Sequence, residues 1–200
     1  MDIIKLKKEV VVSDPCYTIP TWCQAVISNV KPGMYHTTVR KHDADAWGVR
    51  CSMVFAIHEE YVNFPNLLHG KWEKTNYVIG VDSGQCGIFT KDSYKNDSHN
   101  IELGDGDISF FNQEPWSEMG PKKDAGDDWY HKMCSRTLGN KSWGTYDEGI
   151  VSSSGFGDGS YELFVVKKYG KIVAFAIDFG VEDGEHIYFD YRNTGVQETA

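Results

Sequence analysis

The five cysteines, Cys16, Cys23, Cys51, Cys86 and Cys134, include no C-x-x-C pair. That argues against a zinc ribbon or a thioredoxin-type motif. An odd, irregularly spaced set fits reduced thiols better than a disulfide framework. The seven histidines form no HxH or HxxxH pair, so the signal for a zinc site is weak. Positive charge is scarce, with 20 Lys and Arg against 29 Asp and Glu and a formal net charge of −9. Proteins that grip a phosphate backbone draw affinity from clustered Lys and Arg, so a nucleic-acid duplex is not an expected partner. The basic cluster Lys5–Lys8 is too short to reverse this. No run approaches the roughly 18 apolar residues of a membrane span. The first residues, MDIIKLKKEV, have no apolar core of a signal peptide. The expectation is a cytoplasmic protein with no membrane partner. No GxxxxGK[ST] loop, internal repeat or low-complexity stretch occurs.

What is present is a dense succession of strand-like runs. A chain of 200 residues, 40% hydrophobic and 14% aromatic, can bury one substantial core, so one domain over 1–200 is expected. Val10 to Ser13 is β-branched and stops at Asp14-Pro15, where proline favours extended geometry in the residue before it. Gln24 to Val30, Met34 to Arg40, Trp47 to Ile57, Tyr77 to Val81 and Gln85 to Thr90 read as further strands, with Ile108 to Asn112 a weaker candidate. In the longest, Val49, Cys51, Met53, Phe55 and Ile57 share one face, and Trp47 fits a core position. Lys31-Pro32-Gly33 reads as a hairpin corner and His42 to Ala46 as a polar loop. His58 to Lys74 reads as irregular, with one short helical turn, and Gln113 to Gly126 as loop. Asp127 to Leu138 is the best helix, with Asp127 as a possible N-cap and Trp129 and Met133 on one side. Near the end come a strand, a glycine-rich loop and a hairpin. Tyr161 to Val166 and Ile172 to Ile177 are its arms, and Tyr169-Gly170 its turn. Phe164, Val166, Val173, Phe175 and Ile177 are expected to be largely buried. A last strand is expected over His186 to Tyr191. The pattern predicts a mainly β fold, an antiparallel sandwich or open barrel with one main helix near 127–138.

Chemistry is expected where strands end. Asp14, Asp82, Asp158 and Asp178 each follow a strand-like run and precede turn residues. Loops gather at the rim of a sheet, and sites form there. If the rims coincide, Asp14, Asp82 and Asp158 converge around a pocket lined by Ser154, Gly155, Gly157, Asp158 and Gly159, with Gly84 beside them. Glycines in this spacing permit positive φ and close approach of a ligand. Such carboxylates could hold Mg²⁺ or Ca²⁺, with Asp178 a fourth candidate ligand, or supply a general acid and base. Each equally suits bonding the N–H groups of its own turn. Cys16 and Cys86 have no histidine nearby in sequence and read as small buried hydrophobes rather than nucleophiles.

Four segments occur in a recognisable order: VVSDPCY, VKPGMYHTTV, YVIGVDSGQCGIFT and SSSGFGDGSYELFVV followed by GKIVAFAIDF. Together they resemble the bacterial and phage domain of unknown function 4241 family. The resemblance covers residues 10–179 and leaves 112–149 as a variable loop insertion. It implies no activity, cofactor or catalytic residue; it marks Asp14, Asp82, Gly84, Gly155, Gly157, Asp158, Gly159 and Asp178 as motif positions. With no complete catalytic constellation in view, the leading expectation is a binding module. Its ligand would be small and polar, nucleotide-like molecules included, or a protein partner, in phage–host or toxin–immunity conflict. The alternative is a divalent-metal-dependent hydrolase or lyase acting on a nucleotide or phosphate compound.

Overall fold

A computed structural model describes residues 1–68, 71–112, 126–182 and 191–192. Among these residues the architecture is mainly β, with two antiparallel sheets, one main helix and no closed barrel. The strands are β1 (Asp2–Leu6), β2 (Val10–Ser13), β3 (Ala25–Ile27), β4 (Gly33–Asp43), β5 (Val49–His58), β6 (Glu73–Val81), β7 (Gln85–Thr90), β8 (Trp143–Tyr146), β9 (Gly149–Ser153), β10 (Gly159–Lys168) and β11 (Lys171–Asp178). A short helix α1 (Glu59–Val62) follows β5, and the main helix α2 (Asp127–Thr137) precedes β8. One sheet has the order β1-β4-β5-β11-β10-β6, and the other β3-β2-β7-β9-β8.

The sandwich interior is filled by alternating inward residues of both sheets. Ile4, Tyr35, Val54, Ile79, Leu163, Phe175 and Ile177 come from the larger sheet and meet Val10, Val12, Ala25, Cys86, Ile88 and Ile150 of the smaller. Both outer faces are also covered, which is why so many strands are apolar on both sides. Met53, Phe55, Ile57, Val166 and Val173 lie on the far side of the larger sheet under Tyr61, Leu68 and Tyr191. Val11, Phe89 and Val151 lie on the far side of the smaller sheet under Trp129 and Met133 of α2. Val166, Val173, Phe175 and Ile177 are fully buried as expected, and Phe164 is half-buried against the outer cluster.

Several expectations are corrected. Gly33 is not a corner between paired strands: β3 and β4 belong to different sheets, and the chain crosses between them there. The five β5 residues do not share a face. A bulge opposite Arg40 and Lys41 skips Ser52, so Cys51 joins the sandwich core while Met53, Phe55 and Ile57 face outward. One extra residue in a strand of period two reverses every side chain beyond it. Val49 is exposed, and Trp47 sits in a 3-10 turn (Asp45–Trp47), 67% exposed, rather than in the core. The polar loop at 42–46 is shorter than expected, because β4 runs on to Asp43. Ser109–Asn112 is a 3-10 turn, not strand. Strands β1 and β8 are additions to the sequence expectation. Of the segment read as a variable loop, 126–149 contributes α2 and β8, which pairs with β9 and closes one edge of the smaller sheet. The strand expected over 186–191 falls outside the described residues, apart from Tyr191, which lies in a turn with its hydroxyl donating to Val62 O.

Helix α2 is capped from a distance. Its N-cap is Gly126, not Asp127, and no side chain of that residue closes the end. Asp97, in the loop after β7, accepts the N–H of Gly126 (2.7 Å) and of Trp129 (2.9 Å). These are orphan donors of the first turn, and the carboxylate also complements the helix dipole.

Candidate functional site

Three turns meet at one end of the sandwich. They are the loop after β2, the β6–β7 turn Asp82-Ser83-Gly84, and the glycine-rich loop between β9 and β10. Each leaves a strand whose partners fix its height: Ser13 pairs with Gly87, Gln85 with Ser153, and Gly159 with Val81. The strand ends are therefore level, and the turns that follow must touch.

Asp14 is the hub. It is fully buried, and its carboxylate accepts four hydrogen bonds: from Cys16 N (2.7 Å) and Ser83 Oγ (2.6 Å) on Oδ1, and from Asp82 N (2.9 Å) and Ser83 N (2.7 Å) on Oδ2. Its own carbonyl accepts the Tyr94 hydroxyl at 2.9 Å. The next N–H of the same turn, Gly84 N, donates to Asp158 Oδ1 at 3.0 Å, and Gly84 O accepts Ser154 N at 3.0 Å. The glycine-rich loop is then closed on itself. Ser154 Oγ donates to Gly157 O (2.8 Å), and the Tyr161 hydroxyl lies 2.6 Å from that carbonyl and 3.0 Å from Ser154 O. Gly155 has φ +53°, and a Cβ there would press on Val181 and Phe179, so the position demands glycine on both counts.

Thus Asp14, Asp82, Gly84, Ser154, Gly155, Gly157, Asp158 and Gly159 are brought together at one rim. The metal reading is not supported: among the described residues, no group of three or more His, Cys, Asp or Glu side chains is placed to hold an ion. The reason is visible at Asp14, whose oxygens face backbone N–H groups and a hydroxyl rather than open space. Asp178 belongs elsewhere. It ends β11, accepts Gly180 N at 2.8 Å, and faces Glu162, Glu182 and Arg40. Burial pushes its carboxyl above the usual range, with the two acidic neighbours adding to the effect. Asp82 and Asp158 remain exposed. The Asp82 carboxylate near the Tyr17 hydroxyl, followed by desolvation, pushes that phenol up.

No thiol with a displaced pKa is activated. Burial first, then the Asp14 charge, pushes Cys16 up to about 12. Burial also raises Cys51, Cys86 and Cys134. A nucleophilic cysteine needs the opposite displacement. Behind the hub, Gln85 joins the turn to α2: its Oε1 accepts the Thr137 hydroxyl at 2.8 Å, and its Nε2 lies 3.3 Å from Cys134 Sγ and 3.4 Å from Ser83 Oγ.

Sequence reasoning missed the aromatic part of the rim. Trp22 is 86% exposed, and Phe156, the loop residue between the glycines, is 52% exposed. Phe156 sets its ring edge-on against Trp47, with centroids 6.0 Å apart. The available signal was an aromatic residue flanked by turn formers, as in Pro20-Thr21-Trp22 and Gly155-Phe156-Gly157. A groove of about 450 Å³, lined by Asn29, Glu73, Asn76, Tyr77, Lys167 and others, lies near the start of β6, at the opposite end of that strand from Asp82. Among the described residues no helix is long and apolar enough to cross a membrane. No family model, curated protein or solved structure matches the chain.

Proposed function

We propose that the protein is a non-catalytic binding module whose recognition surface is the rim formed by the turns around Asp82, Gly84 and Asp158. The observation that carries this reading is the division of labour at the rim. The buried polar groups are consumed in holding the turns, while Trp22, Trp47 and Phe156 are left outside with two exposed carboxylates. Exposed tryptophan and phenylalanine on braced loops suit recognition, because aromatic anchors dominate binding energy at interfaces. On this reading the motifs that resemble those of the domain of unknown function 4241 family serve to build that surface. Its biological setting would be phage–host or toxin–immunity conflict, where occupying a partner is sufficient for effect.

A photo-crosslinking residue at position 156 tests the reading against the same residue at position 169. Tyr169 is fully exposed at the β10–β11 turn, at the other end of the ten-residue β10, about 30 Å away at the usual rise per strand residue. A discrete adduct from 156 and none from 169 is expected in the protein's native cells. Equal labelling from both positions would remove the rim's special status. Turnover of any nucleotide in a panel with Mg²⁺ or Mn²⁺, abolished by chelation, would favour a metal-dependent hydrolase instead.

A further inference from the structure

We infer that the rim takes a cationic polypeptide segment presenting arginine, an inference that rests on reading the rim as the binding surface. The aromatic and acidic groups form one connected band. Trp22 adjoins Cys23, whose carbonyl accepts Gly80 N at 3.0 Å, two residues before Asp82. Two residues on, Gly84 N bonds Asp158, which is followed back along the loop by Phe156 and then by the Trp47 ring. Asp43 and Asp45 add exposed carboxylates on the Trp47 side.

Among the described residues, the cations near these loops contact backbone or rings rather than the Asp82 and Asp158 carboxylates, Lys95 Nζ donating to Cys16 O at 3.1 Å. Arg50 Nε donates to Trp47 O at 2.9 Å, Lys141 lies over the Trp143 ring, and Lys41 is half-buried near Cys51. Among the described residues no Lys or Arg forms an ion pair with Asp82 or Asp158, so the band offers aromatic surface beside carboxylates open to a cation. A guanidinium suits both halves, because it stacks on aromatic faces and binds a carboxylate through two parallel N–H groups. Ammonium does only part of this. A second copy of this chain, with formal net charge −9, is a poor occupant, and so is any polyanion.

The test uses three capped ten-residue peptides that alternate glycine with arginine, lysine or glutamate. Calorimetry and intrinsic tryptophan fluorescence follow their binding to the whole chain at low salt. Saturable binding of the arginine peptide is expected, severalfold tighter than the lysine peptide. Raising salt to about 0.5 M should weaken it roughly tenfold, as for exposed charge pairs. Trp22→Ala and Phe156→Ala should each weaken it by about fivefold or more, as loss of a cation–π partner does. Tyr169→Ala should leave it unchanged. Asp158→Asn should weaken it as well, while its remaining carbonyl oxygen keeps the Gly84 bond. Should Asp158→Asn fail to fold, Trp22→Ala decides the matter, since that side chain is 86% exposed. Equal binding of arginine and glutamate peptides, both weakened by Trp22→Ala, would overturn the cationic partner and leave the rim standing. Binding that no rim substitution affects would overturn both readings. No saturation by about 1 mM peptide, the weak limit of specific recognition, would overturn the cationic partner.

Discussion

Asp14 and Asp158 accept hydrogen bonds from consecutive residues of one turn, Ser83 and Gly84, yet they belong to opposite kinds of environment. Asp14 is fully buried and takes four donors. Asp158 stands in solvent with Oδ1 on a single N–H. The difference teaches where structural duty ends and recognition begins. A buried carboxylate with its lone pairs occupied holds the chain and has nothing left for a ligand. An exposed one with an oxygen to spare can do both.

The largest expected contrast is chemical. At pH 8, Cys16 in the folded protein should carry roughly a thousandfold less thiolate than an ordinary cysteine, given a value of about 12 against 9.0. Its alkylation by iodoacetamide should keep accelerating with pH well past 9; a plateau near pH 9 would show the hub to be open to solvent. The sign for stability follows. The unfolded thiol ionises first, so this group's contribution is complete below about pH 9 and is lost as pH rises towards 12.

Next comes Asp14→Ala. It strands the part-buried N–H groups of Cys16, Asp82 and Ser83 around a fully buried position and should cost about 3 kcal/mol in urea unfolding. A loss under about 1 kcal/mol would mean that water replaces the carboxylate without penalty. Asp97→Ala should cost less, about 1–2 kcal/mol, the usual value of a helix cap, with the near-ultraviolet signal of buried Trp129 as a local readout. Asp158→Asn should change stability by less than about 1 kcal/mol, because the amide retains an acceptor for Gly84. A larger loss would move Asp158 from the recognition side of the comparison to the structural side. Trp22→Ala is the smallest, within about 0.5 kcal/mol, as befits an exposed position. A melting temperature that drops by several degrees would place that ring against the fold.

The strand runs were legible because they carry a period of two and are punctuated by Pro, Gly and Asp. The last hairpin is the clearest case: Tyr169 and Gly170 both have positive φ in the structure, the conformation a tight two-residue turn requires. Helix α2 was legible from its acidic start and the Trp129–Met133 spacing, though its cap was not, since Asp97 lies thirty residues upstream of Asp127. The missed edge strands β1 and β8 have a plain cause. DIIKL and WGTY are short, mix polar with apolar residues, and are fixed by their partners β4 and β9 rather than by their own pattern. The rim was half legible: aspartate and glycine advertise turns, but exposure does not follow from residue type, and nothing local tells the exposed Trp47 from a core tryptophan.

By itself the sequence determined that the chain would be mainly β, where most strands stop, and that Asp14, Asp82 and Asp158 would sit in turns. Those are local properties, set by backbone preference and side-chain alternation within a few residues. Only the tertiary structure decided which sheet each strand joins, that a bulge at Ser52 reverses the outer half of β5, and that Asp14 is buried while Asp158 is not. Burial is a property of what lies across the gap. For Asp14 it depends on Ser83 and Tyr94, roughly 70 and 80 residues further along the chain, and no local rule carries information over that distance.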